Sequence, residues 1–266
     1  MKRVILLLSC LLVAGVSNAQ KSDYSKSPKA TRFVAYNAGV FPESGYDSMP
    51  DVARMMRELS ADAVAICEMD SCNRRHSTFQ TEDFQKYLGT GWDYRYASAM
   101  HWNGGSYGTG VVTSKIIINS FDIKLLKGDR YEPRVCVVAE TPEYVIASVY
   151  LDHSNDSVRV EQAEVITNDL LKRYKASRKP VFLCGDLNAD PQSQTLKCFS
   201  KDWKIISRPD PTYPSDNPEE CVDYILVMKN KARYKVVKTA VCTELDSVDV
   251  TGTSDHLPVF VDVVIK

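Results

Sequence analysis

Eleven short apolar stretches, each bounded by turn-forming residues, constrain this chain more than any other feature: "RFVAYN", "AVAICE", "WDYRYA", "GVVTS", "IINSFDI", "RVCVVAE", "YVIASVYL", "PVFLCGD", "CVDYILV", "YKVVKTAV" and "LPVFVDVVI". Their lengths and separators are those of paired β-strands. Several are apolar at consecutive positions rather than alternate ones, as strands are when both faces are covered. Helical periodicity supplies part of that cover. Val52, Met55, Met56 and Leu59 make one apolar stripe, and Val158, Val165, Ile166, Leu170 and Tyr174 approximate another. Two sheets packed face to face, with helices outside, satisfy both patterns.

The chain opens with Met1, Lys2 and Arg3, then the apolar run "VILLLSCLLVAGV", then "SNAQ". A basic start, a short hydrophobic segment and small residues at Ser17 and Ala19 predict a secretory leader over residues 1–19. No later stretch approaches the roughly 20 apolar residues of a transmembrane helix. An exported, periplasmic or secreted protein is therefore expected, with a loose tail over residues 20–30. No linker, repeat or low-complexity segment divides the rest, so residues 31–266 are expected to form one domain, as a monomer.

Charge and cysteine content narrow the partners. The 33 basic and 34 acidic residues nearly cancel, which offers no steering field for a long polyanion. The basic run Lys172, Arg173, Lys175, Arg178 and Lys179 lies at the end of a predicted helix, where positive charge suits the helix dipole. Eight cysteines, one of them in the leader, show no CxxC spacing, so a zinc site has little support. Cys67 and Cys184 fall inside strand patterns and read as buried thiols. A disulfide such as Cys198–Cys221 is open to an exported protein but is not assigned by spacing.

Polar residues collect where the strands end. "FVAYN" ends in Asn37, "AVAICE" in Glu68, and "PVFLCGDLN" in Asp186 and Asn188; "CVDY" carries Asp223, and "TGTSDHLPVF" sets Asp255 and His256 before the last strand. Each alone reads as a turn or a solvated end. Together, acids, amides and an imidazole from five strand ends define a site. Carboxylate and amide oxygens make a hard cage suited to Mg²⁺ or Mn²⁺. A carboxylate such as Asp223 can hold His256 in one tautomer, and an Asp beside an Asn can hold a water. Metal, water and a charge-stabilising donor are what phosphoester hydrolysis needs.

The ordered set Asn37, Glu68, "YGTGVVTSK" (Tyr107 to Lys115), Arg134, "LDH…R..Q" (Leu151 to Gln162), "GDLNADPQS", "VDYILV" and "SDHLPV" resembles the endonuclease/exonuclease/phosphatase superfamily of deoxyribonuclease-like, metal-dependent phosphoesterases. The resemblance runs from about Arg32 to the C-terminus. It implies a four-layered α/β sandwich, two packed mixed β-sheets flanked by helices, with the site at one edge. It implies that Glu68 binds the metal with Asn37 beside it and Asp255 at the metal edge, and that Asp186 orients or activates water. Asn188, Arg134 and His153 would hold the substrate, and His256, oriented by Asp223, would contact the scissile phosphate.

One departure stands out. Related sequences commonly read Thr-His-Leu-Asp-His in the strand before "R..Q", where this chain reads Val149, Tyr150, Leu151, Asp152 and His153. Counting back from Arg159 sets Tyr150 at the first histidine of that motif, as in the abasic-site endonucleases, whose tyrosine can donate to a phosphate oxygen. His153, three residues on, is expected on the opposite face of a regular strand, whereas a bend or bulge after Leu151 would swing it in beside the site. The reading is a metal-dependent phosphodiesterase acting on a phosphate ester. Its alternatives are a nuclease, a phospholipid headgroup hydrolase, and a noncatalytic module that keeps the fold.

Overall fold

In the computed structural model, which describes residues 23–41, 46–125 and 132–266, the strand patterns resolve into two six-stranded sheets. In spatial order, one holds β11 (Tyr234–Val241), β12 (Val259–Ile265), β1 (Thr31–Asn37), β2 (Ala63–Ser71), β4 (Gly105–Thr113) and β3 (Asp93–Trp102). The other holds β5 (Asn119–Lys124), β6 (Val135–Glu140), β7 (Val145–Tyr150), β8 (Val181–Asp186), β10 (Asp223–Met228) and β9 (Trp203–Ile205). The leader expected at residues 1–19 lies outside the described residues.

Consecutive apolar positions are explained by cover on both faces of each sheet. Between the sheets, Phe33 stacks on Phe182 with ring centroids 4.0 Å apart, among Ala35, Val111, Ile146 and Ile225. Outside the first sheet lie α1 (Met49–Glu58) and α2 (Gln80–Leu88); α1 buries Val52, Met55 and Met56 as its stripe predicts, with Leu59 just beyond its end. Outside the second lie α3 (Asp156–Tyr174) and α4 (Gln194–Phe199). This is the expected four-layered sandwich.

Helix α3 buries Ile166, Leu170 and Tyr174, while Val158 and Val165 stay half-exposed. Gln162 and Thr167 go inward instead. Gln162 accepts the Asp152 amide at 2.9 Å, and Thr167 accepts the Trp203 indole N–H at 3.0 Å. Polar residues that find partners therefore interrupt the stripe, which is why its periodicity is only approximate. Three elements carry too few apolar positions to show in sequence: three-residue β9, six-residue α4, and α2, whose buried apolar residues are only Phe84 and Leu88.

Where described, the tail expected to be loose is held. Tyr24 packs edge-on against Phe260, Arg32 donates to Tyr24 O at 2.8 Å, and Lys238 donates to Ser25 O at 2.6 Å. All seven described cysteines are free: Cys67, Cys136, Cys184, Cys221 and Cys242 are buried, Cys198 is half-buried and Cys72 is exposed. Cys198 and Cys221 thus form no disulfide.

Two strand pairs are parallel, β1 with β2 and β7 with β8, and each is joined by a crossover helix, α1 or α3. Parallel strands finish at the same edge. The two pairs are also in step, since Cys67 Sγ donates to Val149 O across the sheets. Two backbone features then aim the side chains. The β2–β4 register shifts between Ile66 and Met69, and within that bulge Glu68 has φ +55°, a conformation non-glycine residues rarely adopt. Bulges re-aim side chains in this way. Gly185 has φ +142°, and a Cβ on it would lie 2.0 Å from Val149 O on the neighbouring strand.

Only glycine lets β8 lie this close to β7 one residue before Asp186. Gly185→Ala is expected to destabilise the chain by about 3 kcal/mol or more, at the upper end of overpacking costs. A urea titration checks this; an unchanged midpoint would contradict the close approach.

Candidate active site

The edge where both parallel pairs finish collects Asn37, Glu68, Tyr150 and Asp186. Asp223, the first residue of β10, pairs directly opposite Asp186. The β11–β12 connection brings His256 over them. Asn37, Asp186 and Asp223 are at most 1% exposed and His256 6%, whereas Glu68 is half-exposed and opens to solvent.

One amide links the group. Asn37 Nδ2 donates to Glu68 Oε1 at 3.0 Å and to Asp186 Oδ2 at 3.2 Å, and lies 3.4 Å from His256 Nε2. Asn37 is itself fixed, its Oδ1 accepting from Gly39 N at 3.1 Å and its backbone carbonyl accepting from Ser254 Oγ at 2.8 Å. His256 Nδ1 meets Asp223 Oδ2 at 2.8 Å, and the same oxygen accepts from Thr212 Oγ1 at 2.7 Å. That leaves His256 Nε2 facing Asp186 Oδ2 at 3.8 Å. Asn188, at φ +47°, gives its backbone N–H to Asp186 Oδ1 at 2.8 Å and its side-chain amide to Leu151 O at 3.1 Å.

Burial and like charge set the protonation. Loss of water, followed by the charge of Asp223, pushes Asp186 up to about 7 against the opposing pull of His256. Burial alone would lower His256, but the charge and hydrogen bond of Asp223 outweigh it and push the imidazole up to about 10. Burial, and then the charges of Glu68 and Asp186, hold the Tyr150 hydroxyl protonated, well above its ordinary value. Arg134, 2% exposed, lays its guanidinium 3.9 Å from the centre of the Tyr150 ring.

His153 departs from the strand-face expectation. Strand β7 stops at Tyr150, and Asp152 Oδ1 then accepts from Ser154 N and Asn155 N, both at 2.9 Å, turning the chain. His153 Nδ1 comes within 3.3 Å of Arg134 Nη2. It therefore stands at the exposed rim on the Tyr150 side rather than on a separate face. Asp255 also remains at the rim. Its side chain is exposed, with Oδ1 3.3 Å from Ser254 Oγ, and no hydrogen bond joins it to Asn37 or Glu68 among the described residues. Its backbone carbonyl accepts from Ser215 N at 2.7 Å and so helps hold the His256 loop.

Three contributors give little signal in sequence. Thr212 and Tyr213 lie in "PTYPSDNPEE", a turn-rich segment, yet Thr212 anchors Asp223 and the Tyr213 ring packs 4.9 Å from that of His256. Tyr107 lies within the quoted "YGTGVVTSK" and is buried beside Tyr150 and Arg134; burial, then the charge of Glu68, raises its hydroxyl far above the usual range.

The donors fit a hard divalent cation. Glu68, Asp186 and Asp223 supply carboxylate oxygens against one imidazole, and Asp223 Oδ1 is buried without a partner. Atoms of Asp186, Asp223 and His256 that could ligate lie within 4.8 Å of one another. A softer metal would call for thiolate, whereas Cys67 turns its thiol to Val149 O. Asp223 and His256 engage each other and Asn37 Oδ1 accepts from Gly39 N, whereas the half-exposed Glu68 carboxylate is the one most open to solvent.

A sandwich with this edge defines a phosphoester hydrolase, and the chain belongs to the Endonuclease/Exonuclease/phosphatase family, whose model matches residues 34–256. That family is generally dependent on divalent metal. No curated protein matches the chain in sequence. Among solved structures, a mannosyl-6-phosphatase of Bacteroides thetaiotaomicron superposes with a TM-score of 0.71 at 19% identity, covering 88% of this chain and 100% of its own. An endonuclease/exonuclease/phosphatase of Bacteroides vulgatus gives 0.71 at 16%, covering 89% and 99%. The human nocturnin catalytic domain with bound sulfate gives 0.67 at 17%, covering 91% and 97%. These likenesses establish the fold.

In the metal-free protein, ¹⁵N spectra are expected to show His256 doubly protonated through pH 8. Because its folded pKa is raised, the stability it contributes is fully present below about 6.5, its ordinary value, and is lost as pH rises through about 10. Asp223→Asn should return the titration toward that ordinary value; an unchanged titration would show that Asp223 does not set the charge.

Proposed function

We propose that this chain is an exported phosphodiesterase that hydrolyses its ester by attack of a water activated at Asp186, with Mg²⁺ or Mn²⁺ held by Glu68 and Asn37. The observation that carries the reading is the Asn37 amide, which meets Glu68, Asp186 and His256 within 3.4 Å and so gathers acid, base and imidazole at one point.

The residues divide the work by their surroundings. Asp186, raised toward neutrality, can take a proton from water near pH 7. His256, kept cationic by Asp223, donates from Nε2 to a phosphoryl oxygen as charge develops there. Tyr150, kept protonated, offers a second donor, and Arg134 beneath its ring adds positive charge. His153 extends that side at the rim. Asn188, tethered to Leu151 O, steadies Asp186 and leaves its amide at the mouth of the site. When bound, the cation neutralises phosphoryl charge and eases deprotonation of water. A cluster of three carboxylates around one cation site suits the single charge of a diester better than the double charge of a monoester.

The alternatives have less support. Near-neutral overall charge offers little to long nucleic acid. A lipid headgroup enzyme would want an apolar prow, whereas the β3–β4 hairpin tip is Asn103 and Gly104, and Trp102 is half-buried with the Arg75 guanidinium against one face at 4.3 Å. A noncatalytic module would have no use for two buried carboxylates side by side, which are costly to keep. The leader expected at residues 1–19 supports export.

Hydrolysis of bis(p-nitrophenyl) phosphate, absent after chelation and restored by Mg²⁺ or Mn²⁺, tests the reading. Glu68→Gln should abolish the restored activity while leaving the urea midpoint near wild type, since Glu68 lies outside the apolar core; wild-type turnover in that variant would overturn the assignment. Tyr150→Phe should cut turnover by about 10- to 10³-fold, the worth of one charge-stabilising donor. A silent Tyr150→Phe beside a crippled His153→Ala would transfer that role to His153.

A further inference from the structure

Beyond Glu68, strand β2 continues to Asp70, a fully buried carboxylate. Asp70 is clasped by Arg75, whose Nε lies 2.7 Å from Oδ2 and Nη2 3.0 Å from Oδ1, and by His76 Nδ1 at 2.7 Å. Arg75 in turn lies over the Trp102 indole, 4.3 Å from its centre. None of these residues has a part in the hydrolysis derived above.

Register shows where this group faces. Asp70 pairs with Tyr107, Tyr107 pairs with Met100, and Trp102 follows Met100 by two residues. Directly opposed residues and residues two apart share a face of a sheet. That face is the one on which Tyr107 lines a small cavity together with Arg134 and Tyr150. Trp102 therefore stands on the same wall of the cleft as the catalytic edge. It is two strands and a few residues away, on the order of 10–15 Å from Glu68 at standard strand spacings.

The wall is held in place. Asn73 Oδ1 accepts from Arg75 N and His76 N, both at 2.9 Å; Arg74 N donates to Asn103 O at 2.9 Å, and Asn73 Nδ2 donates to Ser106 O at 3.3 Å. The loop carrying Arg75 is thus fastened to the hairpin carrying Trp102. A half-buried indole, fixed on one side by a clamped guanidinium and on the same wall as Glu68, has the shape and chemistry of a stacking surface.

We infer that Trp102, held by Arg75 and Asp70, is a specificity platform that selects phosphate esters whose organic part carries a ring able to stack, at a sugar's or nucleoside's distance from the phosphorus. The inference rests on the phosphoesterase reading and narrows its substrate to small ring-bearing organophosphates. Asp70 and Arg75 act as positioning residues for the indole.

The test uses the full chain with His256→Ala to stop turnover, in Mg²⁺, titrated calorimetrically with the methyl diesters of thymidine 5′-phosphate, glucose 6-phosphate and glycerol 3-phosphate. At least one ring-bearing ester is expected to bind about 10-fold tighter than the acyclic one, within the range of a single stacked ring; which one does so distinguishes a nucleoside from a sugar. Adding Trp102→Ala should shrink that ratio to about 2-fold or less, while Trp102→Phe keeps most of it and Arg75→Gln reduces it. Because the readout is a ratio within each variant, a general loss of active protein cancels. Equal ratios with and without Trp102 would overturn the platform. Hydrolysis of bis(p-nitrophenyl) phosphate by the parent chain, with no preference for rings, would sink the platform alone; no hydrolysis and no ester binding would sink both readings.

Discussion

Two carboxylates that ought to repel one another, Asp186 and Asp223, face each other across neighbouring strands, almost wholly shut off from water. Such a pair persists only if surrounding groups offset both the lost hydration and the mutual repulsion. Thr212 and His256 engage Asp223, and Asn37 and Asn188 engage Asp186. Elements remote in the chain are recruited for this purpose: the turn before β10, the last loop, and the end of the first strand. The shape of the catalytic edge follows from satisfying that pair.

The sandwich makes this arrangement reachable. Antiparallel strands alone would scatter their ends over both edges, but two parallel pairs, each closed by an outer helix, deliver four strand ends to one edge. Local backbone exceptions then fine-tune the aim. The bulge at Glu68 turns one carboxylate toward solvent, and Gly185 lets another sit deep against the neighbouring strand. The half-open Glu68 and the sealed Asp186 are chemically alike and differ in surroundings, so that burial raises the second toward neutrality while the first stays open to water.

Much of this was legible in the sequence, and what was not had physical reasons. Strands covered on both faces announce themselves by consecutive apolar residues, and the less buried β3, β5 and β11 by aromatic and β-branched residues between turns, whereas β9 and α4 are too short to establish a period. Carboxylates and amides closing apolar runs marked Asn37, Glu68, Asp186 and Asn188. For His153 the sequence left two placements, and the turn at Asp152 decides between them by ending strand alternation just past Tyr150. Thr212 and Tyr213 were invisible because a hydroxyl and a ring in a proline-rich turn resemble ordinary loop chemistry. The clasp of Asp70 by Arg75 and His76 depends on a loop folding back onto its own strand, which no periodicity records.

The cysteines carry a consequence for handling the protein. Sulfur here serves as packing volume: five of the seven described thiols are buried, and burial raises those of Cys67, Cys136 and Cys184 far above the range in which a thiolate forms. Resistance to oxidants is thus a property of the folded state and is lost when the sandwich opens. Unfolded chains would present many unpaired thiols at once and cross-link at random. Thermal denaturation in air would then report a rate of irreversible loss rather than an equilibrium, and reductant should recover a reversible transition.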